Sequence, residues 1–489
     1  MSLSAALNAA RSSLTANSSQ TAVVSRNIAG VNDPSYARKI ANLTTIQGGV
    51  GVASITRAGD KALFESMLDA SSANGSQQAL ATGFAQLEGT VGDPNDGRSV
   101  AARLGALTTA LQQYSAAPNN TALAQAVLTS AGALAGSLND ATTVVQTLRA
   151  DADRQISDSV ATVNSVLAKI EDVNRRIVGG TRSGADITDD LDTRDTLLKQ
   201  LSAEVGISVI GRPDNDIAIY TDSGATLFER TARSVTFDRT MAFSATSAGR
   251  AVVVDGVPVT GGLATMPIKS GRLYGLTSLR DDVAVKYQGQ LDEIARGLIR
   301  SFAESDQSPT PTKPDAAGLF TYSGAPTVPG GALVKGLAGD IRLNATVDPS
   351  QGGSLHRLRD GGISDPSDPA YLYNQTGAAS YTGRLDDILD KLSLTRSFDA
   401  TTGGSATGTL ADFAASSVSW LEAGRQSASG EADYKKAFLD RSTQALSSAT
   451  GVNLDDEMAT MLSLEHSYQA SSKLIAAIDQ MLANLLEAV

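Results

Sequence analysis

Side chains that could catalyse a reaction are few in this sequence. Its 489 residues contain no cysteine and only two histidines, His356 and His466. The absence of cysteine excludes disulfides, thiolate metal sites and cysteine nucleophiles. A single histidine beside arginines in a loop, or on a helical segment, is far more often a surface or packing residue than a general base. We therefore predict no catalytic residue and no histidine-based metal site.

Carboxylates are the other candidates for chemistry. Two clusters lie where helices are expected to begin, where negative charge complements the helix dipole. They are Asp189, Asp190 and Asp192, and Asp455, Asp456 and Glu457. The segment DPNDG at 93–97 is similar to the start of a calcium loop, but Leu104 stands where a bidentate glutamate is needed. No glycine-rich phosphate loop is present, so we predict no cofactor and no metal.

Composition excludes further classes. The net charge of −12 argues against a nucleic-acid partner, which requires concentrated basic residues. No run of about 18 apolar residues occurs, so we expect no membrane insertion. The N-terminal segment contains Arg11 and many polar residues, and therefore shows no secretory signal. A mass of 50.3 kDa predicts more than one folded unit.

The elements that must position any site are mainly helical. Ten of the fourteen prolines lie between Pro258 and Pro369, and none lies between Pro118 and Pro213. That proline-free stretch predicts one long helix from about Leu123 to Ile177, and hence an elongated rod of about 80 Å. Its apolar stripe alternates steps of four and three residues, with one extra step of four, a stutter, between Ala152 and Ile156. The stripe is Leu134, Leu138, Ala141, Val145, Leu148, Ala152, Ile156, Val160, Val163, Leu167, Ile170 and Ile177.

A change of period marks an inserted β-domain at 206–270. Apolar and polar residues alternate through Ile217 and Ile219, and Asp255–Gly256 stands between β-branched runs as a hairpin signal. Residues 306–379 are rich in Pro and Gly, which predicts irregular structure. The fold class is thus mainly α with inserted β: an elongated multi-domain rod with a long-helix bundle at 61–205, 271–305 and 380–449.

The two ends of the chain carry heptad stripes. The predicted interface residues are Leu3, Leu7, Leu14, Val24, Ile28, Val31 and Tyr36 at one end, and Met461, Leu464, Tyr468, Ile475, Ile478, Leu482 and Leu485 at the other. Residues 1–60 carry a charge of +3 and residues 431–489 a charge of −5. Heptads bury their seam against another helix, and opposite charges favour pairing of the two ends. The plainest alternative is that both helices pack on the body as ordinary coiled-coil arms.

Sequence motifs favour a more specific interpretation. The run from Asn27 to Lys39 (NIAGVNDPSYARK) resembles a segment shared by bacterial flagellar axial proteins, roughly Asn-Ile-Ala-Asn-x-Asn-x-Pro-Gly-Tyr-x-Arg. It departs from that pattern at Gly30 and Ser35, and a type I turn after Pro34 accepts the serine. The C-terminal blocks GVNLDDEMA, YQASSK and ML resemble the last helix of the flagellar hook-associated protein 1 family, the FlgK-type hook–filament junction proteins. LDTRDTLLKQLSAEVGISV and SLHRLRDGG also fit that family.

The resemblance implies a non-enzymatic structural subunit of the flagellum that self-assembles into a homo-oligomeric ring between hook and filament. Its implied partners are the hook protein, the second junction protein and an export chaperone that holds the C-terminal helix. It implies an extracellular location, reached through the flagellar channel without a cleaved signal. The assembly unit would be a helical domain of residues 1–60 paired with residues 450–489, with both arms mobile until assembly orders them. Alternatives are a hook or rod subunit, a secreted helical adhesin and a cytoplasmic helical enzyme with an inserted β-domain.

Overall fold

The computed structural model describes residues 3–46, 49–91 and 97–487, with side chains described as far as residue 484. Twelve helices and thirteen short strands make up this part of the chain. The helices are α1 (Leu3–Gly30), α2 (Lys61–Glu88), α3 (Val100–Ala116), α4 (Thr121–Ser183), α5 (Thr188–Glu204), α6 (Arg272–Ser278), α7 (Ala284–Ser301), α8 (Leu337–Asp340), α9 (Arg357–Asp360), α10 (Gly383–Ser393), α11 (Leu410–Thr450) and α12 (Leu454–Glu487).

Helix α4 is the axis of the molecule. Its 63 residues make it about 95 Å long at 1.5 Å per residue. Asn120 caps its start by accepting from the amides of Ala122 and Leu123, and Gly184 ends it in the left-handed conformation with φ 71°. All the residues of its predicted stripe are buried. The predicted long helix is therefore confirmed, and it extends a few residues beyond the expected bounds at each end.

The stutter in the α4 stripe coincides with buried charge. Arg149 and Asp153 flank Ala152 and are both buried. Asp153 lies 2.7 Å from Arg280, which belongs to a π-helical turn at Leu279–Val283 between α6 and α7. Arg149 donates to the backbone oxygens of Ser244 and Ser247. At the stutter, polar residues of α4 thus point inward, and their hydrogen bonds hold the loop at 237–250 against the long helix.

Length and composition alone would allow α4 to cross a membrane. Only 39% of its most apolar window is buried inside the protein. The core helix of a folded domain passes the same test, so the finding is weak evidence. Towards its C-terminal end, α4 carries charge on the face opposite its stripe, with surface ion pairs such as Arg175–Glu171, which is typical of an amphipathic helix packed on a core.

The predicted β insertion is present as two small antiparallel sheets. The first has the order β3 (Ile207–Gly211), β4 (Ile217–Thr221), β5 (Thr226–Glu229), β6 (Thr231–Ala232), and the second β7 (Val235–Thr236), β8 (Val253–Val254), β9 (Val257–Pro258). Asp255 and Gly256 join β8 to β9 with φ of 48° and 83°, as the hairpin signal predicts. One apolar core runs through the long helices, these sheets and the irregular region.

Residues 306–379 are irregular, as predicted, with short helices and one small sheet between β10 (Phe320–Thr321) and β11 (Arg342–Leu343). Another small sheet pairs β12 (Arg396–Ser397) with β13 (Thr407–Gly408). The remaining strands differ from expectation: β1 (Lys39–Ile46) and β2 (Gly49–Arg57) form an antiparallel hairpin inside a segment predicted to be helical. The accessible surface is 23041 Å², against about 17,000 Å² for an average monomer of this mass, which fits an elongated chain.

Candidate assembly site at the paired chain termini

The two ends of the chain pack on each other within one molecule. Ser13 and Ser471 share a hydrogen bond of 3.1 Å between their hydroxyls. Asn17 donates to the hydroxyl of Ser467 over 2.9 Å. Residue numbers rise along α1 as they fall along α12, so the helices are antiparallel. The paired terminal helices of the predicted fold class are confirmed.

The predicted interface residues occupy this seam to different degrees. Val24, Leu464 and Ile478 are buried. The half-buried set is Leu3, Leu7, Leu14, Ile28, Val31, Tyr36, Met461, Ile475 and Leu482. Tyr468 is 52% exposed, and the side chain of Leu485 lies outside the described residues. Most of the predicted residues are therefore at least half-buried within one chain.

Burial in the seam recurs once in every seven residues. On α12 the buried residues are Glu457, Leu464, Ser471 and Ile478, and on the stripe of α1 they are Ala10, Asn17 and Val24. A closed two-helix coiled coil buries two residues in each heptad, at a and d. The second set on α12 (Met461, Tyr468, Ile475 and Leu482) stays half-buried or exposed. The seam is therefore only half covered by the partner helix.

A hairpin covers a second face of α1. The backbone amide of Val50 near its tip donates to the hydroxyl of Ser12 over 3.3 Å. At its base, the side chain of Asn27 makes two hydrogen bonds of 2.9 Å with the backbone of Lys39. The hairpin thus runs back along α1, and we call α1, this hairpin and α12 the terminal unit (residues 3–57 and 454–487).

The N-terminal motif has a structural explanation. Asn27 is 1% exposed, and its side-chain oxygen also accepts from the hydroxyl of Tyr36 over 3.0 Å. The ring of Tyr36 lies on Gly30, where a Cβ would stand 2.6 Å from the ring carbon Cγ. The amide of Tyr36 donates to the oxygen of Asp33, which closes a turn with Pro34 and Ser35 at its centre. Ser35 does not have a positive φ, so serine fits this turn.

The charges of the N-terminal segment pair with carboxylates at the start of α5 and just before it. Arg26 lies 2.8 Å from Asp186, and Arg57 lies 2.9 Å from Asp192 and 2.6 Å from Asp195. The ammonium of Lys39, whose side chain is fully buried, contacts Asp189 and lies 3.7 Å from Asp192. Opposite charges also join the two ends of the chain, at one described pair, Arg38 with Glu457 at 2.6 Å. The carboxylates do more than complement helix dipoles.

Burial shifts the ionisation of this cluster. Removal from water raises the pKa of Asp192 and of Asp195, although Arg57 opposes the change in both. Burial likewise lowers the pKa of Lys39, against the attraction of Asp192. Burial raises the pKa of Tyr36 to about 12. These directions mark a partly dehydrated ionic contact rather than a solvated surface patch.

Candidate chemistry outside this unit is sparse. His356 and His466 are both exposed. Among the described residues, no group of three His, Asp or Glu side chains could hold a metal ion. Most of the DPNDG segment at 93–97, which is similar to the start of a calcium loop, lies outside the described residues. The motif residues were within reach of sequence reasoning, whereas the roles of Arg57, Asp186 and Asp195 were missed, because no periodicity links partners so far apart in the chain.

Two family models match parts of this chain. Residues 84–311 match the family model described as "Flagellar hook-associated protein FlgK helical domain". Residues 443–488 match "Flagellar basal body rod FlgEFG protein C-terminal". The first match covers α4 and the β insertion, and the second covers all of α12 and the end of α11.

Two relatives are similar over different lengths. Flagellar hook-associated protein 1 of Bacillus subtilis (strain 168) is 22% identical over 521 aligned positions, covering 98% of this chain and 97% of that protein. A solved structure, the flagellar hook junction protein FlgK from Burkholderia pseudomallei, superposes with a TM-score of 0.43 at 22% identity. That superposition covers 53% of this chain and 47% of the other.

Proposed function

The chain belongs to the family of flagellar hook-associated proteins, and from that premise we propose that it joins hook to filament as a ring of copies assembled through the terminal unit. The family is one of structural proteins of the bacterial flagellum, which implies a non-enzymatic role. Polymerisation would then be the activity of this chain, and its interface residues would take the place of a catalytic site.

The observation that carries the proposal is the position of exposed apolar side chains. Ten of the twenty large apolar side chains exposed in the described part of the chain lie in the terminal unit, which holds less than a fifth of the residues. They are Ile40, Leu43, Ile46, Val50, Leu454, Met458, Leu462, Tyr468, Leu474 and Met481. Concentrated exposed apolar surface is typical of an interaction site.

The half-covered seam supports the same proposal. Neighbouring helices in an assembly would cover the second set of heptad positions on α12 and the side chains beside them. Complete burial of a Leu, Ile or Met contributes about 1.5–3 kcal/mol. Several such contacts per copy would stabilise the packing of one copy against the next. We propose that the predicted stripe residues hold the pair together and that Leu474 and Met481, which flank them, contact the next copy.

The remaining partners follow from the family resemblance. We propose that the hook protein lies on one side of the ring and the second junction protein on the other. Before assembly, a cytoplasmic chaperone would hold α12, whose exposed apolar residues need a cover in the unassembled chain. The chain would leave the cell through the flagellar channel without a cleaved signal and reside outside the cell on the flagellum.

A hook or rod subunit is the second candidate. The match of residues 443–488 to a rod-protein family favours it, since that family comprises other axial proteins. The match of residues 84–311 to a hook-associated helical domain favours the junction. Location on the flagellum separates the two, because a hook or rod subunit would be found along its tube and a junction protein only where hook meets filament.

The test replaces exposed apolar residues on α12. A chain with both Leu474→Asp and Met481→Asp should fold, because these side chains are 48% and 51% exposed. We expect antibody labelling of isolated hook–filament structures to find the unchanged chain at the junction and to miss the double variant, whose cells lose filaments. The matched control is Met241→Asp with Leu263→Asp, at exposed positions in the β insertion. Junction labelling of the α12 variant equal to that control would contradict the proposal.

A further inference from the structure

The terminal unit shares no apolar core with the rest of the molecule. The continuous core of buried residues begins at Met67 and ends at Ala428. Among the described residues, the partly buried apolar side chains packed against that core also lie outside the terminal unit. Whatever holds the unit in place on the long helices is therefore not hydrophobic burial, which usually joins packed elements.

Charge pairs take the place of a core at this boundary. Three cations of the terminal unit face four carboxylates at the start of α5 and just before it. The cations are Arg26, Lys39 and Arg57, and the carboxylates are Asp186, Asp189, Asp192 and Asp195. Successive carboxylates are three residues apart, so each one in α5 lies close to the next on the helix surface.

The pairs differ in their access to water. The side chain of Lys39 is fully buried, that of Asp192 is 12% exposed and that of Arg57 is 19% exposed. At the edge, Arg26 is 36% exposed and Asp189 is 75% exposed. Water and salt therefore reach the outer pair first, and the inner pairs are the better shielded.

The inner contact is incompletely bonded. Oxygen Oδ2 of Asp192 is buried and accepts no hydrogen bond, although it faces the ammonium of Lys39 at 3.7 Å. A buried carboxylate oxygen without a donor is costly. The cost of dehydrating these charges therefore offsets part of their attraction, which leaves the contact weaker than an apolar core of the same size.

Two short chain segments also join the terminal unit to the long helices. Residues 58–60 link β2 to α2, and residues 451–453 link α11 to α12. One backbone hydrogen bond of 2.8 Å, from the amide of Arg38 to the oxygen of Thr450, lies beside the second link. Three-residue links outside any helix can absorb a change of angle by backbone rotation.

We propose that the carboxylate side of α5 is an ionic joint: the terminal unit docks on the long helices through charge pairs and changes its angle when they are released. Both parts stay folded through the change. The joint would let identical copies accept different orientations of the terminal unit. It is a property of the single chain and does not depend on assembly.

The experiment measures a distance across the joint in the full-length chain. Because the chain has no cysteine, spin labels can be placed at Ala22→Cys on α1 and Ala161→Cys on α4, both exposed. In the chain with Asp192→Asn and Asp195→Asn we expect the distance distribution to widen about twofold, since the inner pairs are lost. In about 1 M NaCl the Debye length is about 3 Å, so the label-to-label distance distribution should also widen in the labelled chain that keeps Asp192 and Asp195.

The matched control is Asp190→Asn. Asp190 is also in the first turn of α5, but it pairs with Arg176 of α4, inside the long-helix part. This variant should keep the narrow distribution at low salt. A second label pair inside the terminal unit, at Ser18→Cys and Ser463→Cys, should stay narrow throughout and shows that the unit remains folded. An unchanged distance across the joint, both in the double variant and in high salt, would overturn the proposal.

Discussion

Helices α4 and α12 are both long and both carry a heptad-like stripe, yet they are buried very differently. In α4 the predicted stripe is buried along its full length, because α2, α3, α5, α6 and α7 surround it. In α12 only every seventh residue is buried, against α1. An amphipathic pattern therefore predicts which face of a helix packs on other elements. How much of that face is buried depends on the number of neighbouring helices.

The difference teaches how stability is distributed. Helix α4 lies in a core that closes within one chain and needs nothing further. The terminal unit has a narrow seam, exposed apolar residues and a charged boundary, which are features of the low-stability end of a structure. Such a unit is suited to complete its packing with other copies.

The largest expected effect comes from charging the seam. Ile478 is 2% exposed, so Ile478→Asp would bury a carboxylate without a partner. Within the terminal unit we expect a loss of about 3–5 kcal/mol, enough to separate α12 from α1. The β insertion and α4 should stay folded, because they belong to a separate core. Limited proteolysis should then cleave α1 and α12 first, and no junction should assemble.

The neighbouring position supplies the control. Ala477 is exposed on the same helix turn, and Ala477→Asp should leave the seam intact. If Ile478→Asp assembled as well as this control, the seam would not hold the pair together. If Ile478→Asp also unfolded the β insertion, the claim that the terminal unit has no core in common with the long helices would be wrong.

A pH effect of intermediate size should appear in the core around α7. Burial raises the pKa of Asp292 to about 6, although the amides of Ala338 and Gly336 donate to it and oppose the change. A folded pKa above the ordinary 3.8 means that folding favours the protonated form, so this group adds stability as pH falls from 7 towards 4. We expect a gain of about 1–3 kcal/mol.

Comparison with Asp292→Asn isolates that group. The free energy of unfolding of the unsubstituted chain, measured with denaturant, should rise relative to the variant as pH falls through 6. If the unfolding free energy of the unsubstituted chain fell relative to that of the variant as pH decreased, or if their difference did not change with pH, the raised pKa of Asp292 would be contradicted. The charge pairs at the α5 joint should respond to salt instead, which separates the two regions experimentally.

The most local effect concerns the motif turn. Gly30→Ala would place a Cβ against the root of the Tyr36 ring and displace it, at a cost of about 1–3 kcal/mol within the terminal unit. The pKa of Tyr36, which burial raises to about 12, should then move toward 10.0. NMR titration of labelled tyrosine measures this. Gly136→Ala on α4, where a Cβ would meet open space, is the control; equal tyrosine titration in both variants would show that the close approach is unimportant.

The sequence predicts those parts of the fold that local periodicity determines. The stripe of α4 and the Asp255–Gly256 turn were predicted because each is a pattern of neighbouring residues, readable without knowing the partner. The β1–β2 hairpin was missed because its strands, with a bulge at Asn42 and Leu43 and little burial, lack a clear alternation. A motif resemblance then gave the segment a helical assignment.

Long-range partners were beyond sequence reasoning. The charges of the two ends suggested that they pair with each other, yet Arg26, Lys39 and Arg57 find carboxylates more than 130 residues away on or near α5. Net charge gives the sign of an attraction and not its partner. The role of the buried Asn27 was also beyond sequence reasoning, which used this residue only as part of a resemblance. Its side-chain amide hydrogen-bonds the backbone of Lys39 and the hydroxyl of Tyr36 and so joins α1 to the segment that follows it.

The central claim is that the terminal unit completes its packing only in the assembly. Hydrogen exchange on the free chain and on isolated hook–filament structures tests it most directly. The account predicts that residues 3–30 and 454–487 exchange much faster than Thr121–Ser183 in the free chain and become protected in the assembly. Protection of the terminal helices equal to that of the long helix in the free chain, with no further gain in the assembly, would contradict it.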